Sequence, residues 1–457
     1  MKEKLPADIW VLVSAAFIVA LGYGIIAPVL PQFADSFGLG ITAATVVVSS
    51  FAFFRLVCAP AGGAMVNRMG ERWVYVTGLL VVAASTFAVA LAQTYWQLLL
   101  FRGLGGLGST MFTVSAMAII IRIAPTHMRA RATGAYAQAF LVGNILGPVV
   151  GGLMAGWGIR VPFVVYAVGL VIAALVVRLR LGKRTEVALP ATDGSAPEAP
   201  STPAENVGSA PATSSRFAAR RARKRAERAV READRLPRMR FREAWQDSAY
   251  RASLVSSLAN GWTSNGIRVA LYPLFVVHVL QADARIAGIA LTVFAVGNVI
   301  AARAVGRWAD SVGRRPFVLG GLAVLAASTF GLAFVGHTVP FLLLSALSGL
   351  GAGLLNPAQQ AVVGDVIGKE RAGGTVLSRF QMSMDAGAIF GPIVAGALAE
   401  QLGYGTAFAV SGAIAALGFL VWLTGRETLP SRETPLSREG ASRGPDPVDG
   451  DGPGRDE

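Results

Sequence analysis

Hydrophobic residues in this chain come in long runs, not in alternating positions or in stripes at helical spacing. Twelve runs, roughly 9–30, 42–66, 73–93, 96–121, 133–156, 160–180, 250–280, 286–306, 316–336, 339–363, 376–399 and 404–424, are strongly apolar and nearly free of charge. Runs of about 18 residues or more are long enough to cross a bilayer as helices. The pattern predicts an all-α membrane protein with twelve transmembrane helices, the seventh long enough to include a tilted or extended end. An even number of spans puts both termini on one side.

The polar stretches divide the runs six and six. Residues 1–180 form a first six-helix half and 249–424 a second, with 181–248 as a central loop and 425–457 as a polar tail expected to be disordered. Within the loop, 188–215 is rich in Pro, Ala, Ser and Thr and cannot bury enough apolar surface to fold. Residues 216–242 are dense in Arg and predict a basic helix, either solvated or lying on anionic lipid.

The two halves repeat each other. Gly143-Asn-Ile-Leu-Gly147-Pro148-Val-Val-Gly151-Gly152 returns as Gly387-Ala-Ile-Phe-Gly391-Pro392-Ile-Val-Ala395-Gly396, at an offset of 244 residues. Gly63-Ala-Met-Val-Asn67-Arg68-Met-Gly70-Glu71-Arg72 returns as Gly306-Arg-Trp-Ala-Asp310-Ser-Val-Gly313-Arg314-Arg315, at 243. Hydrophobic segments broken by Gly and Pro at matching positions of two halves point to a secondary transporter with its site at the repeat interface.

Composition agrees: 53% of residues are hydrophobic, and mean hydropathy is +0.54. The net charge of +14 would ordinarily suggest nucleic acid. Here the cations lie beside or between the apolar runs, as the positive-inside rule expects of cytoplasmic loops, so nucleic-acid binding is set aside. Arg68, Arg72, Arg122, Arg129, Arg131, Arg307, Arg314, Arg315, Lys369 and Arg371 follow alternate runs, while the opposite loops hold few cations, such as Arg160 and Arg285. Both termini are therefore expected in the cytoplasm and the protein in the plasma membrane. The first run reads as a retained span and not as a removed signal peptide. Cys58 is the only cysteine, and His127, His278 and His337 are far apart, so no metal or disulfide framework is expected. There is no nucleotide-cradling Gly-x-x-x-x-Gly-Lys-Ser/Thr motif and no nucleophile–base pair. The chain reads as neither an enzyme nor a cofactor protein.

Two sets of six spans with these loops resemble the major facilitator superfamily over about residues 24–424. Gly306–Arg315 is similar to that family's motif A, Gly-x-x-x-Asp-x-x-Gly-Arg-Arg; the first copy departs from it at Asn67 and Glu71. Arg102 with Gly103–Gly108 resembles motif B, and Gly143–Gly152 matches motif C, Gly-x-x-x-Gly-Pro-x-x-Gly-Gly. Motif C is associated with the drug/proton antiporter branch. The resemblance implies a gating role for Gly63, Asn67, Arg68, Gly70, Arg72, Gly306, Asp310, Gly313, Arg314 and Arg315, a charge lock holding one state shut. It also implies that motif C (Gly143, Gly147, Pro148, Gly151 and Gly152) governs which side opens. On physical grounds alone, glycines at every fourth position make a smooth face for close helix packing in lipid.

Polar residues inside spans are costly and tend to face the interior. Tyr23, Arg55, Gln138, Asn144, Asn260, Trp262, Asn265, Arg268, Asn298, Asn356, Gln359 and Gln381 are candidates to line a substrate cavity, each with helix–helix bonding as the plainer alternative. Asp385 is the one carboxylate well inside a predicted span and is the candidate for proton coupling, and the motif B resemblance implies Arg102 as its modulator. Its rival role is a permanent pair with an arginine such as Arg268 or Arg102. The resulting expectation is a proton-coupled exporter of small, largely apolar molecules working by alternating access. A carrier of polar solutes such as sugars, or a non-transporting membrane sensor or scaffold, are the alternatives.

Overall fold

The computed structural model describes residues 5–125, 128–180, 239–368, 371 and 373–429. The lipid-binding stretch expected at 216–242 lies almost wholly outside them, as do 188–215 and 430–457.

The described residues are helical, with no strand among them. The first half contains α1 (Ala7–Ile26), a short α2 (Leu30–Asp35), α3 (Gly40–Met69), α4 (Glu71–Leu91), α5 (Tyr95–Ile123), α6 (Arg129–Ala155) and α7 (Val161–Arg180). The second contains a short α8 (Phe241–Gln246), α9 (Ser248–Asn260), a π-helical turn (Gly261–Ile267), α10 (Arg268–His278), α11 (Ala284–Val312), α12 (Arg315–Gly331), a 3₁₀ turn (Leu332–Phe334), α13 (Thr338–Ile367), α14 (Gly374–Leu402) and α15 (Tyr404–Leu423).

Among the described residues, eleven helices are long and apolar enough to cross a membrane. The twelfth span is the continuous stretch Ser248–His278, where α9 and α10 are each short because the π turn separates them. The run expected at 9–30 is split: α1 ends at Ile26, and α2 restarts at Leu30 with Pro31 in its first turn, where proline's missing N–H costs nothing. Two helices overrun their expected ends at 66 and 306. α3 and α11 continue through the motif A segments and stop at Gly70 (φ 82°) and Gly313 (φ 112°), a left-handed backbone that glycine adopts without strain.

Helices α1 and α15 place their outer ends on one face, here called the terminal face. The connections after α1, α4, α6, α10, α12 and α14 lie on the far face. Within the first half α1 packs on α6 and α7, and α4 on α5; in the second α11 packs on α13, and α12 on α13 and α15. Apolar side chains on the outer flank of α7, among them Val168, Val171, Ile172 and Leu175, are exposed, as a lipid-facing surface requires. The halves meet chiefly through α3 with α14, α6 with α11, and α10 with α2 and α3.

Candidate functional site

The α3–α14 seam is a ladder of contacts descending from the far face. Glu400 accepts from Thr42 N (2.8 Å) and from the Thr42 hydroxyl. Gly396 lies against Thr45 so closely that a Cβ would collide with it. Ser49 Oγ donates to Ile389 O (2.8 Å). Last comes Arg55 Nη2 with Asp385 Oδ1 at 3.5 Å. At about 1.5 Å per residue this pair lies roughly 25 Å from the far face.

The α6–α11 seam behaves alike. Gly152 abuts the Arg285 and Gly288 backbone, a Cβ on Gly288 would strike Pro148 O, and Thr292 Oγ1 donates to Ile145 O (3.4 Å). Above both seams, His278 at the end of α10 joins Asp35 of α2 (Nε2 to Oδ2, 2.9 Å) and Tyr404 of α15 (Nδ1 to hydroxyl, 2.8 Å). Gln32 Nε2 donates to Pro273 O at 3.5 Å. All of these inter-half contacts lie between the Arg55–Asp385 level and the far face.

Motif C is a docking surface for α1. Gly143 faces Phe17, Ala20 and Leu21, Gly147 faces Leu21 and Gly24, and Gly151 faces Ile25, each without room for a side chain. The second copy does the same to the seventh span: Gly387 faces Leu258 and Trp262, and Gly391 faces Trp262. Pro148 meets Gly24 as Pro392 meets Gly266. In both copies the last glycine, Gly152 or Gly396, touches the opposite half. The motif therefore couples a half's first span to the inter-half seam.

The cavity candidates divide. Asn260 Nδ2 donates to Asn356 Oδ1 (2.6 Å), Gln359 Nε2 to Ser256 Oγ, Trp262 Nε1 to Ser411 Oγ (3.0 Å) and Asn144 Nδ2 to Phe140 O (3.1 Å). These five side chains hold helices together or bond within one. Asn298 is half-buried, with its carbonyl against Gly353. Gln138, Asn265 and Gln381 are exposed. Asp385 meets neither Arg268 nor Arg102, the arginines named for its alternative role as a permanent pair, but Arg55 of the other half. The pair is asymmetric, with the Arg55 side chain 45% exposed and Asp385 18%.

Arg102 and Arg268 instead rest on aromatic rings. The Arg102 guanidinium is 4.3 Å from the Phe51 ring centre and 5.9 Å from that of Tyr23, which itself leans on Phe51 at 5.8 Å. Arg102 is buried, its Nε lacks a hydrogen bond, and a small cavity lined by Ser85, Thr86, Phe101 and Phe163 adjoins it. The Arg268 guanidinium is 4.1 Å from Phe294, with its Nε on Ser264 O (2.6 Å). Tyr23 lies within electrostatic reach of both guanidiniums.

At the terminal face the motif A arginines bind within their own halves. Arg72 Nη2 donates to Arg178 O at the end of α7 (2.6 Å), and Arg315 Nη2 to Leu423 O at the end of α15 (2.7 Å), so each caps its half's last helix. Arg314 Nε pairs with Asp365 (3.1 Å). The Asn67, Arg68 and Asp310 side chains lie outside the described residues, while Gly63 and Gly306 sit in the closing turns of α3 and α11.

Sequence reasoning missed two groups here. Glu71, noted only as a departure from motif A, pairs with Arg122 (3.2 Å). Adding the repeat offset of 243 to each gives Arg314 and Asp365, the same pair with its charges exchanged. That arithmetic was available in the sequence. The second group is 425–429, expected within a disordered tail but held in place. Arg426 Nε binds Asp247 (3.0 Å), and Glu427 accepts from the N–H groups of Arg314, Arg315, Thr428 and Leu429 at 2.9–3.0 Å. Partial burial pushes the Glu427 carboxyl up, but those four donors outweigh it and hold it below the usual carboxylate range.

Comparison with known proteins supports the same architecture. The sequence profile of the Major Facilitator Superfamily matches residues 12–251 and 252–448. Quinolone resistance protein NorA of Staphylococcus aureus (strain Mu50 / ATCC 700699) is 31% identical over 156 residues, 34% of this chain and 40% of that protein. Multidrug resistance protein 1 of Bacillus subtilis (strain 168) is 32% identical over 179 residues, 39% of this chain and 46% of that protein. The matches span less than half the length of these relatives. A bacterial homolog to the human lysosomal transporter Spinster, in an inward-facing and unoccupied conformation, superposes with a TM-score of 0.69 at 16% identity, covering 91% of this chain and 96% of that one. The peptide transporter POT in complex with sulfate does so with a TM-score of 0.70 at 16% identity, covering 92% and 94%. At that identity the likeness is one of fold.

Proposed function

The chain belongs to the major facilitator superfamily, a family of membrane transporters and not of enzymes, and within it we propose that this protein exports small, largely apolar molecules from the cytoplasm by proton-coupled alternating access. Arg72, Arg122, Arg178, Arg180, Arg314, Arg315 and Arg371 crowd the terminal face, and the positive-inside rule then makes that face cytoplasmic. On this orientation the halves are joined on the outer side and the described state is open to the cytoplasm, in the plasma membrane.

The observation that carries the reading is the Arg55–Asp385 pair. It joins the two halves at the inner end of a seam, and it exists only while Asp385 is ionised. A proton on Asp385 removes the charge and frees α3 from α14 at that level; loss of the proton restores the attraction. Coupling of this kind needs a contact worth only a few kcal/mol, because a lock of about 5 kcal/mol or more would pin the equilibrium on one side. Partial exposure and a 3.5 Å separation suit a breakable pair. The polar-solute alternative loses support because four of the eight candidate amides, Asn144, Asn260, Asn356 and Gln359, are engaged with neighbouring helices or their own backbone.

The test is uptake of aromatic dyes into inverted membrane vesicles under an imposed proton gradient. Uptake should collapse when the gradient is dissipated. Asp385→Asn should lose at least about tenfold in gradient-driven rate, equivalent to about 1.4 kcal/mol. Unchanged gradient dependence in that variant would remove Asp385 from the mechanism.

A further inference from the structure

His278 ends α10 on the far face and is held from two sides. Its Nε2 lies 2.9 Å from Asp35 Oδ2, on the short α2 of the first half. Its Nδ1 lies 2.8 Å from the Tyr404 hydroxyl, at the start of α15 in its own half. The backbone fixes it there. Beyond α10 the N–H groups of Val279 and Leu280 donate to Phe275 O, that of Ala282 donates to Val276 O, and Gln281 takes a left-handed backbone (φ 48°). The helix thus stops sharply at the imidazole, and a helix C-terminus favours a cation. Among the described residues His278 is the only ion-pair partner of Asp35. The other charged groups on elements packed against α10 are engaged or lie deeper. Glu400 of α14 accepts from Thr42, and Asp283 caps α11 by accepting from Arg285 N and also meets the Arg285 side chain. In α3 the first titratable group counted from the far face is Arg55, the π turn has none, and Arg268 and Tyr272 sit lower on α10 itself. His337, exposed before α13, is the other histidine near this face; α13 reaches α10 through Phe341 and Phe275, with ring centres 5.5 Å apart.

Both contacts of His278 survive a change of protonation. In the neutral ring Nε2–H donates to Asp35 and the Tyr404 hydroxyl donates to Nδ1. In the imidazolium both nitrogens donate and the Tyr404 oxygen accepts, because a hydroxyl works either way. What the proton adds is attraction between opposite charges at the Asp35 contact. That attraction exists only while the two halves are together at the far face. By linkage, the state that pairs them holds the proton more tightly, and acid favours that state. Histidine ordinarily titrates between pH 5 and 8, within reach of ordinary changes outside a cell. We propose that His278 is a second proton-binding site, separate from Asp385, at which acid on the far side closes the far face. The site depends on the clasp geometry alone; its bearing on transport rests on the alternating-access reading. On the orientation proposed above, an acidic exterior returns the emptied carrier to its cytoplasm-open state.

Thr42 supplies the readout. Its N–H crosses the same seam to Glu400, so its exchange with deuterated water requires α3 to part from α14 at the far face. Purified full-length protein in nanodiscs is followed by mass spectrometry between pH 5.5 and 8, above the ordinary range of carboxylates, with rates corrected for the intrinsic pH dependence of amide exchange. Protection of Thr42 should rise about three- to fivefold from pH 8 to pH 5.5, as a partly exposed ion pair allows. His278→Gln and Asp35→Asn should flatten that response. His278→Lys, a fixed cation, should give the acid-side protection at both ends of the range. Asp385→Asn and His337→Gln should keep the original slope. Thermal unfolding identifies any variant that merely fails to fold, and His278→Lys then carries the comparison.

A flat profile in the unmodified protein would overturn the proposal, as would a response that survives His278→Gln or disappears in Asp385→Asn. Proteoliposome transport separates the two readings. Gradient-driven dye movement with pH-independent Thr42 protection would sink the second site and leave export. A His278-dependent response without gradient-driven movement would sink export and leave the site.

Discussion

Glu71–Arg122 and Arg314–Asp365 hold equivalent helix ends with opposite polarity. Each pair ties the start of the third span of its half to the end of the fourth. The sign is therefore immaterial to the tie, and only complementarity matters. Glu71→Arg should set two cations against each other and lower stability by up to about 1 kcal/mol, the range for a partly exposed pair, and Glu71→Arg with Arg122→Glu should recover it. A double-mutant cycle on thermal unfolding in detergent reads this directly. Glu427 gives a pH-dependent counterpart. Its folded-state pKa is depressed, so its contribution is present above the ordinary glutamate value of about 4.3 and fades as pH falls through the lower folded value. Glu427→Gln should remove that acid-side dependence and speed amide exchange at Thr428 and Leu429 at neutral pH. At this scale the sequence was partly legible. Asp385 stood out because a carboxylate in an apolar run is rare, but its partner did not. Arg55, Arg102 and Arg268 look alike in a linear chain, and which of them meets Asp385 depends on how the two halves rotate against each other.

At the scale of single helices, legibility was high wherever apolar length decides the outcome and low wherever backbone geometry does. The twelve runs correspond to the spans within a few residues. The break after Ile26 and the π turn at Gly261–Ile267 were not foreseen. A turn that is one residue wider leaves the apolar pattern intact, so hydropathy carries no trace of it. Its cause is local. The segment Gly-Trp-Thr-Ser-Asn-Gly is poor in strong helix formers, and Gly261 must lie flat against the Met384 backbone while Trp262 reaches Ser411. The motif C glycines lie against α1 with no room for a side chain, a partner the sequence did not name. Gly147→Leu should force α1 off α6 and cost about 1–3 kcal/mol or more by overpacking, seen as a lowered folded yield in detergent. Gly134→Ala on the same helix has open space around it and should leave the yield unchanged.

For the whole molecule, the proposed alternating access makes the far-face contacts the determinant of which side is open. Asp35, His278 and Tyr404 clasp the halves outside the apolar layer, with Glu400 and Thr42 beside them. Asp35→Asn or His278→Ala should weaken closure of the far face and populate the opposite state, by about tenfold for each 1.4 kcal/mol lost. The protein carries its own reporter: Cys58, the only cysteine, lies one helical turn beyond Arg55 toward the terminal face. Its alkylation by a reagent applied from that side should slow in both variants if the inner opening narrows; an unchanged rate would show that the clasp does not govern the equilibrium. The α3–α14 ladder also bears on energy loss. In the described state three rungs stand between Asp385 and the far face, and none of those described stands between it and the terminal face. On the coupling proposed for Asp385, a bound proton would leave on one side only, and leakage without cargo would require the entire molecule to turn over. Proton conductance through reconstituted protein should level off as the gradient steepens, at a ceiling set by the rate of that turnover, where an open channel would keep rising.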